Sequence, residues 1–474
     1  MKKIGWICLL LVIFVSIQTI ALSVSAADEQ QNSAVLNGAH SLNAQKPLLG
    51  TGKIVDNTQC AVLYEVGSET LMYAWNSDEQ VSPASFVKIL TALIVAERGN
   101  LTDAVTVKES VLSTVPYDAV SADLQADEVL TVEDLLYCMM VGSANDAAAV
   151  LADHLCGSQA AFVAEMNRYA QELGCVGTNF TNVHGLHDDN QFTTARDAAK
   201  ILAAAIKNNV FCSVFEAVQY TVPATNKSDE RVLVTGNYLM NQNQDSVEIY
   251  YDSRVTGGRT GVTSSGYRCI AATAESDGMQ LISVVMGCKS VYQEDGYTVQ
   301  SFGGYKETSA LLDAGFDGYK AVQIVGAEQA VIQCPVKNGV SDVVLGSTNE
   351  VYTVLPQEVT SADLDYRYTN IGAGFQAPVE KGQALSELEI WYGDLCIGHV
   401  ELFALNSVST QQVQIGTEDK QEQMFSWPVL LTVVVFCGLG FVLVIVIMRA
   451  VGTLRLAVTR KRSRQHRRNR RRSR

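Results

Sequence analysis

Residues 83–98 read Pro-Ala-Ser-Phe-Val-Lys-Ile-Leu-Thr-Ala-Leu-Ile-Val-Ala-Glu-Arg. Pro83 and the apolar run after Lys88 predict that Ser85 stands at the start of a buried helix. Residues three apart on a helix share one face, so the Lys88 amine is expected near the Ser85 hydroxyl, which is a poor nucleophile without a neighbouring base. Lys88 is the only lysine in the chain with a serine three positions before it. The alternative is an exposed serine and lysine on an ordinary helix.

A second short motif, Ser143-Ala144-Asn145, follows about sixty residues later. It stands between a predicted helix that ends at Gly142 and another that begins near Asn145. Such a loop can present a hydroxyl for proton relay and an amide for a substrate carbonyl. The alternative is that Ser143 or Asn145 merely caps the second helix.

A third motif occupies residues 257–263, which read Gly-Gly-Arg-Thr-Gly-Val-Thr and lead into a predicted strand. Arg259, with the hydroxyls of Thr260 and Thr263, can hold a carboxylate while the edge of the strand pairs with an extended peptide. Gly261 would let that backbone approach closely. Taken alone, the segment could also be a glycine-rich turn.

The three motifs follow the order S-x-x-K, S-x-N and [K/R]-T-G that is typical of penicillin-recognising serine enzymes. With them, the chain from Lys53 to Leu405 resembles the D-alanyl-D-alanine carboxypeptidases, the low-molecular-mass penicillin-binding proteins of serine peptidase family S11. Further resemblance lies in residues 184–186 (His-Gly-Leu), 194–197 (Thr-Ala-Arg-Asp) and 377–383 (Ala-Pro-Val-Glu-Lys-Gly-Gln). It implies an α+β fold, with a transpeptidase domain like those of penicillin-binding proteins and β-lactamases, followed by a small all-β domain.

The resemblance also implies roles for individual residues. Ser85 would attack the carbonyl between two D-alanines of a peptidoglycan stem peptide and form an acyl-enzyme, with Lys88 as proton acceptor and Ser143 as relay to the leaving amine. The oxyanion would lie between the backbone N–H groups of Ser85 and Val262. β-Lactams would acylate the same serine, and neither a metal nor a cofactor is expected. The residues implied in substrate binding are Asn145, Arg259, Thr260, Gly261, Val262 and Thr263.

Arg259 departs from the family pattern, which usually has lysine at this position. Arginine keeps the charge and can hold a carboxylate bidentately, but it cannot give up a proton near neutral pH. Carboxylate binding is therefore expected to survive, whereas any proton-relay role of this position would be lost.

Two alternative functions share these motifs. A β-lactamase needs a base for fast deacylation, usually a glutamate in a loop after the second motif, but residues 178–193 contain only Asp188 and Asp189 as acids. A catalytically idle wall-binding protein or sensor could have kept the fold without the activity. Labelling by fluorescent penicillin and turnover of a peptide separate these possibilities.

The two ends of the chain predict a membrane protein. Residues 1–26 resemble a secretory signal, with Lys2 and Lys3 before an apolar run and small residues at the cleavage site. Residues 425–448 carry no charge, and 22 residues from Trp427 to Met448 span roughly 33 Å as a helix, enough to cross the hydrocarbon core. The tail, residues 449–474, has twelve lysines or arginines and no acid. We expect a single-pass membrane protein with its catalytic domain extracellular, and a cytoplasmic tail that contacts anionic lipid.

The charge balance agrees with this topology. Without Lys2, Lys3 and the twelve basic residues of the tail, 21 basic residues stand against 50 acidic ones, a net charge near −29. Such an acidic exported part has no reason to bind nucleic acid, although an isolated basic tail could do so.

The interior divides into predicted segments: a linker (27–52), the serine acyl-enzyme domain (53–320), an all-β domain (321–405) and a polar stalk (406–424). In the first domain a hairpin is expected around Gly67-Ser68, and later strands at 267–274 and 279–287. Helices are predicted between them, at 85–98, 131–141, 145–156, 159–173 and 194–208. Nine cysteines remain outside the signal and the span, most of them interpreted as buried small hydrophobes. Cys269 and Cys288 could pair across a hairpin that turns near Asp277-Gly278.

Overall fold

The computed structural model of this protein describes residues 42, 46–50, 52–242, 250–295, 299–372, 374–411, 439 and 442–449. The described residues up to Gln411 belong to one compact unit, and residues 439 and 442–449 belong to another. The segments predicted as signal peptide (1–26) and basic tail (449–474, apart from residue 449) lie outside the described residues.

An antiparallel sheet is assembled from both ends of the first domain, as the strand patterns predicted. The strands described before residue 302 are β1 (Cys60–Glu65), β2 (Thr70–Trp75), β3 (Ala104–Thr106), β4 (Val129–Thr131), β5 (Gln219–Val222), β6 (Arg231–Val234), β7 (Val255–Val262), β8 (Arg268–Ser276), β9 (Met279–Cys288), β10 (Val291–Tyr292) and β11 (Val299–Ser301). The central sheet has the order β2-β1-β9-β8-β7, so β7 forms one of its edges. The remaining strands form three separate pairs, β3 with β4, β5 with β6 and β10 with β11.

Helices pack on both faces of this sheet. They are α1 (Val87–Arg98), α2 (Glu109–Leu112), α3 (Val132–Met140), α4 (Asn145–Cys156), α5 (Gln159–Glu172), α6 (Ala195–Ala205), α7 (Asn209–Phe215) and α8 (Tyr305–Phe316). Side chains of a strand alternate between faces, and those of β1 do so here. Val62 belongs to the core cluster that contains α1 and α3 to α6, whereas Leu63 belongs to the cluster on the α8 side.

Helix α1 runs through the larger core. Every residue from Val87 to Val95 is buried, including Lys88, and no side chain caps the N-terminus of the helix. A helix that is apolar on all sides is typical of the interior of a protein. Each fully buried Leu, Ile or Val contributes roughly 1.5–3 kcal/mol, so packing rather than capping fixes this helix.

Local sequence signals predicted the start of α3 correctly, but they did not predict every helix or helix end. Thr131 and Asp134 form the predicted capping box of α3, with the Thr131 side chain accepting from the Asp134 N–H. The helix predicted at 194–208 is wrong at its end, because α6 stops at Ala205 and the Asn208 side chain caps a new helix, α7. Helix α8 was not predicted.

An all-β part follows α8, as predicted. Its strands are β12 (Tyr319–Val325), β13 (Ala330–Cys334), β14 (Val336–Lys337), β15 (Val343–Gly346), β16 (Val351–Pro356), β17 (Asp365–Tyr368), β18 (Phe375–Gln376), β19 (Ala384–Tyr392) and β20 (Leu395–Ala404). Its largest sheet has the order β13-β15-β20-β19-β17, and β12 pairs with β16. The chain is thus an α+β domain followed by an all-β domain, as the resemblance implied.

Part of the segment predicted as a linker packs against both domains. The N–H groups of Leu48 and Leu49 donate to the carbonyls of Leu71 and Met72 at 3.0 and 2.7 Å. Leu48 also packs against the core of the α8 side and against the core of the all-β part. This short segment therefore adds backbone pairing beside β2 and touches the cores of both domains.

The pairing of Cys269 with Cys288 was wrong, although the hairpin is present. Strands β8 and β9 do turn at Asp277-Gly278, but both cysteines are free. Cys269 packs into the larger core and Cys288 into the core on the α8 side. They lie on opposite faces of the sheet, because Cys288 is opposite Arg268 rather than opposite Cys269.

The predicted membrane span, residues 425–448, is described only at residues 439 and 442–448. These residues are helical, and their large apolar side chains are exposed. Among the described residues, no single helix is both long and apolar enough to cross a membrane.

Candidate active site

Ser85 lies in a tight turn immediately before α1. The turn, Ala84–Phe86, is a 3-10 helix in which the Phe86 N–H donates to the Pro83 carbonyl at 3.1 Å. Ala84 adopts a positive φ of 46°, which is uncommon for a residue with a side chain. Ser85 is half-buried, whereas its neighbours are buried. The turn therefore leaves the serine as the accessible residue at the start of a buried helix.

Two glycines hold the turn from either side. A Cβ atom on Gly185 would lie 1.9 Å from the Ala84 carbonyl oxygen, and one on Gly261 would lie 2.9 Å from the Ser85 nitrogen. Gly185 also has a φ of 89°, which glycine adopts without strain. The loop at residues 184–186 and the edge strand β7 thus approach Ser85 so closely that only glycine fits at these positions.

The Lys88 amine is fully buried and faces two acceptors. Its Nζ donates to Asn145 Oδ1 at 2.7 Å and to the His184 carbonyl at 2.6 Å. Burial lowers the pKa of Lys88 well below its usual value, and the positive charge of Arg259 lowers it further, against an opposing effect of Asp146. A neutral amine has two N–H donors and one lone pair, so these two acceptors leave the lone pair free to take a proton.

The start of α4 is tied to the loop that precedes β4. The backbone N–H and the side-chain Nδ2 of Asn145 both donate to the Val120 carbonyl at 2.8 Å. Asp146 accepts from Ser121 Oγ at 2.6 Å and from the Ala122 N–H at 3.0 Å. The residue at the N-cap of α4 is Ala144, without a side-chain hydrogen bond. The alternative in which Ser143 or Asn145 caps this helix is therefore wrong.

Arg259 joins the first two motifs to the third. Its Nη2 donates to Ser143 Oγ at 2.6 Å, its Nη1 to the Met140 carbonyl at 2.7 Å, and its Nε to the Ser85 carbonyl at 3.4 Å. The side chain is buried, and burial lowers its pKa to about 10. Because arginine only donates, the Ser143 oxygen is an acceptor here and its hydroxyl hydrogen is free for another partner.

The other residues of the third motif follow the edge of the sheet. Thr260 and Gly261 lie on β7, and Val262, at its end, is 54% exposed. The Thr263 hydroxyl accepts from the Tyr267 N–H at 3.1 Å, so it closes the turn between β7 and β8. The structure thus brings Thr260 to Val262 along an edge strand beside Ser85, while the Thr263 oxygen already has a partner in that turn.

His184 contributes more through its backbone than through its ring. Its carbonyl accepts from Lys88, and its Nδ1 accepts from the Leu186 N–H at 3.2 Å. Burial, and then the charge of Lys88, lower the pKa of His184 to about 4. The sequence marked the His-Gly-Leu segment only by resemblance. The contacts of the Val120, Met140 and His184 carbonyls are made by backbone atoms, which leave no signal in the sequence.

No group of three or more His, Cys, Asp or Glu side chains in the described part of the chain could hold a metal ion.

Replacing Gly185 by alanine is expected to slow acylation by penicillin strongly. The new methyl group would meet the Ala84 carbonyl at 1.9 Å and must displace the turn that carries Ser85. We expect the acylation rate to fall by on the order of 100-fold or more, because small displacements of reacting groups are costly. The rate is measured with a chromogenic or fluorescent β-lactam.

Gly157→Ala is the matched control. Gly157 also has a positive φ, 74°, but nothing lies within 4 Å of its would-be Cβ. Its alanine variant therefore also places a side chain on backbone with a positive φ, but without the clash, and should acylate at the wild-type rate. Equal rates for Gly185→Ala and wild type would show that the close approach at Ser85 has no role in acylation.

Comparison with known protein families gives two adjoining matches. Residues 52–290 match the family model described as D-alanyl-D-alanine carboxypeptidase. Residues 319–410 match the model described as penicillin-binding protein 5, C-terminal domain.

Individual proteins of this kind are similar over most of the chain. D-alanyl-D-alanine carboxypeptidase DacA of Haemophilus influenzae is 30% identical over 385 residues, 80% of this chain and 92% of the relative. DacF of Bacillus subtilis is 26% identical, over 71% of this chain and 82% of the relative. The crystal structure of penicillin-binding protein 5 from Haemophilus influenzae superposes with a TM-score of 0.63 at 28% identity, covering 76% of this chain and all of that one.

Proposed function

Because this chain belongs to the D-alanyl-D-alanine carboxypeptidase family, we propose that Ser85 is its nucleophile and Lys88 its base. The chain is a serine-type, penicillin-binding carboxypeptidase that acts on peptidoglycan. The observation that supports the residue assignment is the position of Lys88. Its buried amine stands one helical turn after Ser85 and donates to two fixed acceptors.

In the acylation step, the Ser85 oxygen bonds to the carbonyl carbon between the two terminal D-alanines while its proton passes to the neutral Lys88 amine. Negative charge moves to the carbonyl oxygen, where the N–H groups of Ser85 and Val262 would hold it. The peptide C–N bond then breaks, and the proton reaches the leaving amine by way of Ser143. A water molecule, deprotonated by Lys88, hydrolyses the ester and releases the shortened peptide.

Substrate binding is assigned to groups whose hydrogen-bond donors are not all used within the protein. Arg259 has five N–H donors and uses three of them on protein acceptors, so two remain for the terminal carboxylate, beside the Thr260 hydroxyl. Asn145 Nδ2 has a second hydrogen that can reach a peptide carbonyl, since only one is used by Val120. The edge of β7 from Gly261 to Val262 would pair with the extended peptide.

Arg259→Gln is expected to lower kcat/KM for a stem pentapeptide by on the order of 100-fold, mainly through KM, because the variant lacks the charge that binds the carboxylate. In the pH–rate profile of acylation, the variant should also shift the fall in rate on the acid side to higher pH; this part of the profile is the acid limb. Arg259 lowers the pKa of Lys88, so its loss raises that pKa and protonates the base at a higher pH. Both effects are measured in one series of pH-dependent kinetics.

Arg259→Lys is the matched control, because it keeps a cation at the position where the family usually has lysine. It should keep the acid limb near that of the wild type. An acid limb that does not move in Arg259→Gln would contradict the electrostatic coupling of Arg259 to Lys88.

We also propose that the catalytic part is extracellular and anchored by a single membrane helix at residues 425–448. In support, the signal-like residues 1–26 precede it, the basic residues 449–474 follow it, and the described residues 442–448 are helical with exposed apolar side chains. The basic tail would lie on the cytoplasmic side and contact anionic lipid.

Membrane fractionation tests the anchor. The full chain should stay in the membrane pellet after extraction with alkaline carbonate, whereas a variant that ends at Gln411 should be recovered in the supernatant. A full chain that is extracted as readily as the shortened one would rule out a spanning helix.

A further inference from the structure

A second cleft lies away from Ser85, between β3, α2 and the C-terminal half of α4. It encloses about 180 Å³. A void needs only about 10–15 Å³ to hold one water, so this cleft has room for a small organic molecule. By comparison, the cavity beneath Phe86 and Ile89 encloses about 10 Å³ and is too small for such an organic molecule.

The cleft offers both signs of charge above an apolar floor. Lys108 Nζ lies 2.7 Å from Asp153 Oδ2, and both residues line the cleft. His154 lines it as well, with its Nε2 3.9 Å from Asp103. The floor consists of three buried valines, Val105, Val111 and Val150.

This arrangement selects for one class of ligand. A simple anion that binds Lys108 would face the Asp153 carboxylate, and a simple cation that binds Asp153 would face the Lys108 ammonium. A zwitterion satisfies both groups, because its carboxylate can replace Asp153 at Lys108 while its ammonium replaces Lys108 at Asp153. The valine floor leaves space for a short apolar side chain. A small amino acid has these three features.

The cleft shares two chain segments with the active site. Helix α4 begins at Asn145, whose Oδ1 accepts from Lys88, and continues to Asp153, roughly 12 Å away along the helix axis. Helix α2 leads into the loop whose Val120 carbonyl accepts from Asn145. A ligand in the cleft would therefore contact both segments that position the second motif.

We propose that this cleft binds a small zwitterionic amino acid, and that D-alanine, the product released by the carboxypeptidase reaction, is one such ligand. The geometry of the cleft carries the proposal, and only the choice of D-alanine as the first probe rests on the proposed function. The contacts named above do not depend on chirality, so both enantiomers of alanine should bind.

The test is a titration by saturation-transfer NMR on the full chain in detergent, after Ser85 has been blocked with penicillin. D-Alanine and L-alanine should both bind, with affinities on the order of millimolar for so small a ligand. Propionate and ethylamine, which each carry one of the two charges, should bind at least about tenfold more weakly. The block keeps amino acid out of the site at Ser85. The acylation step, followed separately by mass, tests Ser85 as nucleophile independently of the cleft, and D-alanine release from a pentapeptide by the unblocked protein tests the peptidase assignment.

Lys108→Met and Asp153→Asn should each lower the affinity for alanine by about tenfold or more. Lys227→Met, at an exposed lysine outside the cleft, should leave it unchanged. The proposal is overturned if the acylated wild type does not bind alanine, if both cleft variants bind it as well as the wild type, or if propionate binds equally well. The last result would identify the cleft as an anion site.

Discussion

Ser85→Ala is expected to abolish covalent labelling by fluorescent penicillin and to lower kcat for D-alanine release by at least about 10⁴-fold. If Ser85 is the nucleophile, its hydroxyl oxygen is the atom that becomes acylated, and the variant has no site for the covalent bond. The groups assigned to substrate binding, among them Arg259 and Asn145, remain in the variant but cannot form the ester. Labelling is read on a denaturing gel, and release is measured with a D-amino acid oxidase assay.

Ser82→Ala is the control for this experiment. Ser82 lies three residues before Ser85, but the residue three positions after it is a serine rather than a lysine. It should label and turn over like the wild type. If Ser85→Ala were labelled at the wild-type level, the nucleophile would be a different residue.

Lys88→Met should lower the acylation rate by about 10²–10⁴-fold, the usual contribution of a general base. Methionine fills much of the same volume without the amine, so the loss can be assigned to the proton acceptor once circular dichroism shows that the variant is folded. The acylation rate is measured by stopped-flow with a reporter β-lactam.

Lys88→Arg distinguishes a base from a structural cation. Arginine places a permanent positive charge at this position, because it cannot be deprotonated near neutral pH. If Lys88 acts as base, the arginine variant should be as slow as the methionine variant. Recovery of wild-type acylation by arginine would show that only the charge matters.

The pH dependence of the wild type follows from the same residue. Because burial holds the pKa of Lys88 well below its usual value, a larger share of the amine is neutral at neutral pH than for an exposed lysine. The acylation rate should fall only when the pH drops through that lowered pKa. Protonation then removes the lone pair that takes the proton from Ser85.

Local sequence patterns were sufficient for much of the fold. The apolar run after Lys88 fixed α1, and Thr131 with Asp134 fixed the start of α3, because these signals act over a single helical turn. Such local patterns did not predict which faces of the sheet Cys269 and Cys288 occupy. Their faces depend on the register between two strands, and the pairing of β8 with β9 shifts between Arg268 and Ile270.

In the candidate site, too, the sequence identified side chains but not the contacts that depend on the fold. The motifs identified Ser85, Lys88 and Arg259 from side-chain chemistry, and the structure brings these residues together. The carbonyls of Val120, Met140 and His184 could not be found in this way, because every residue has a carbonyl and only the fold decides which ones face the site. Gly185 was noted by resemblance, but its close contact with Ala84 was visible only in three dimensions.

The carboxypeptidase assignment is tested most directly by measuring D-alanine release from a peptidoglycan stem pentapeptide by the purified full chain, with and without prior treatment with penicillin. We expect release by the untreated protein and its loss after acylation of Ser85. A protein that penicillin acylates but that releases no D-alanine from the pentapeptide would contradict the carboxypeptidase assignment. Arg259, which stands where the family usually has lysine, would then be the first residue to replace.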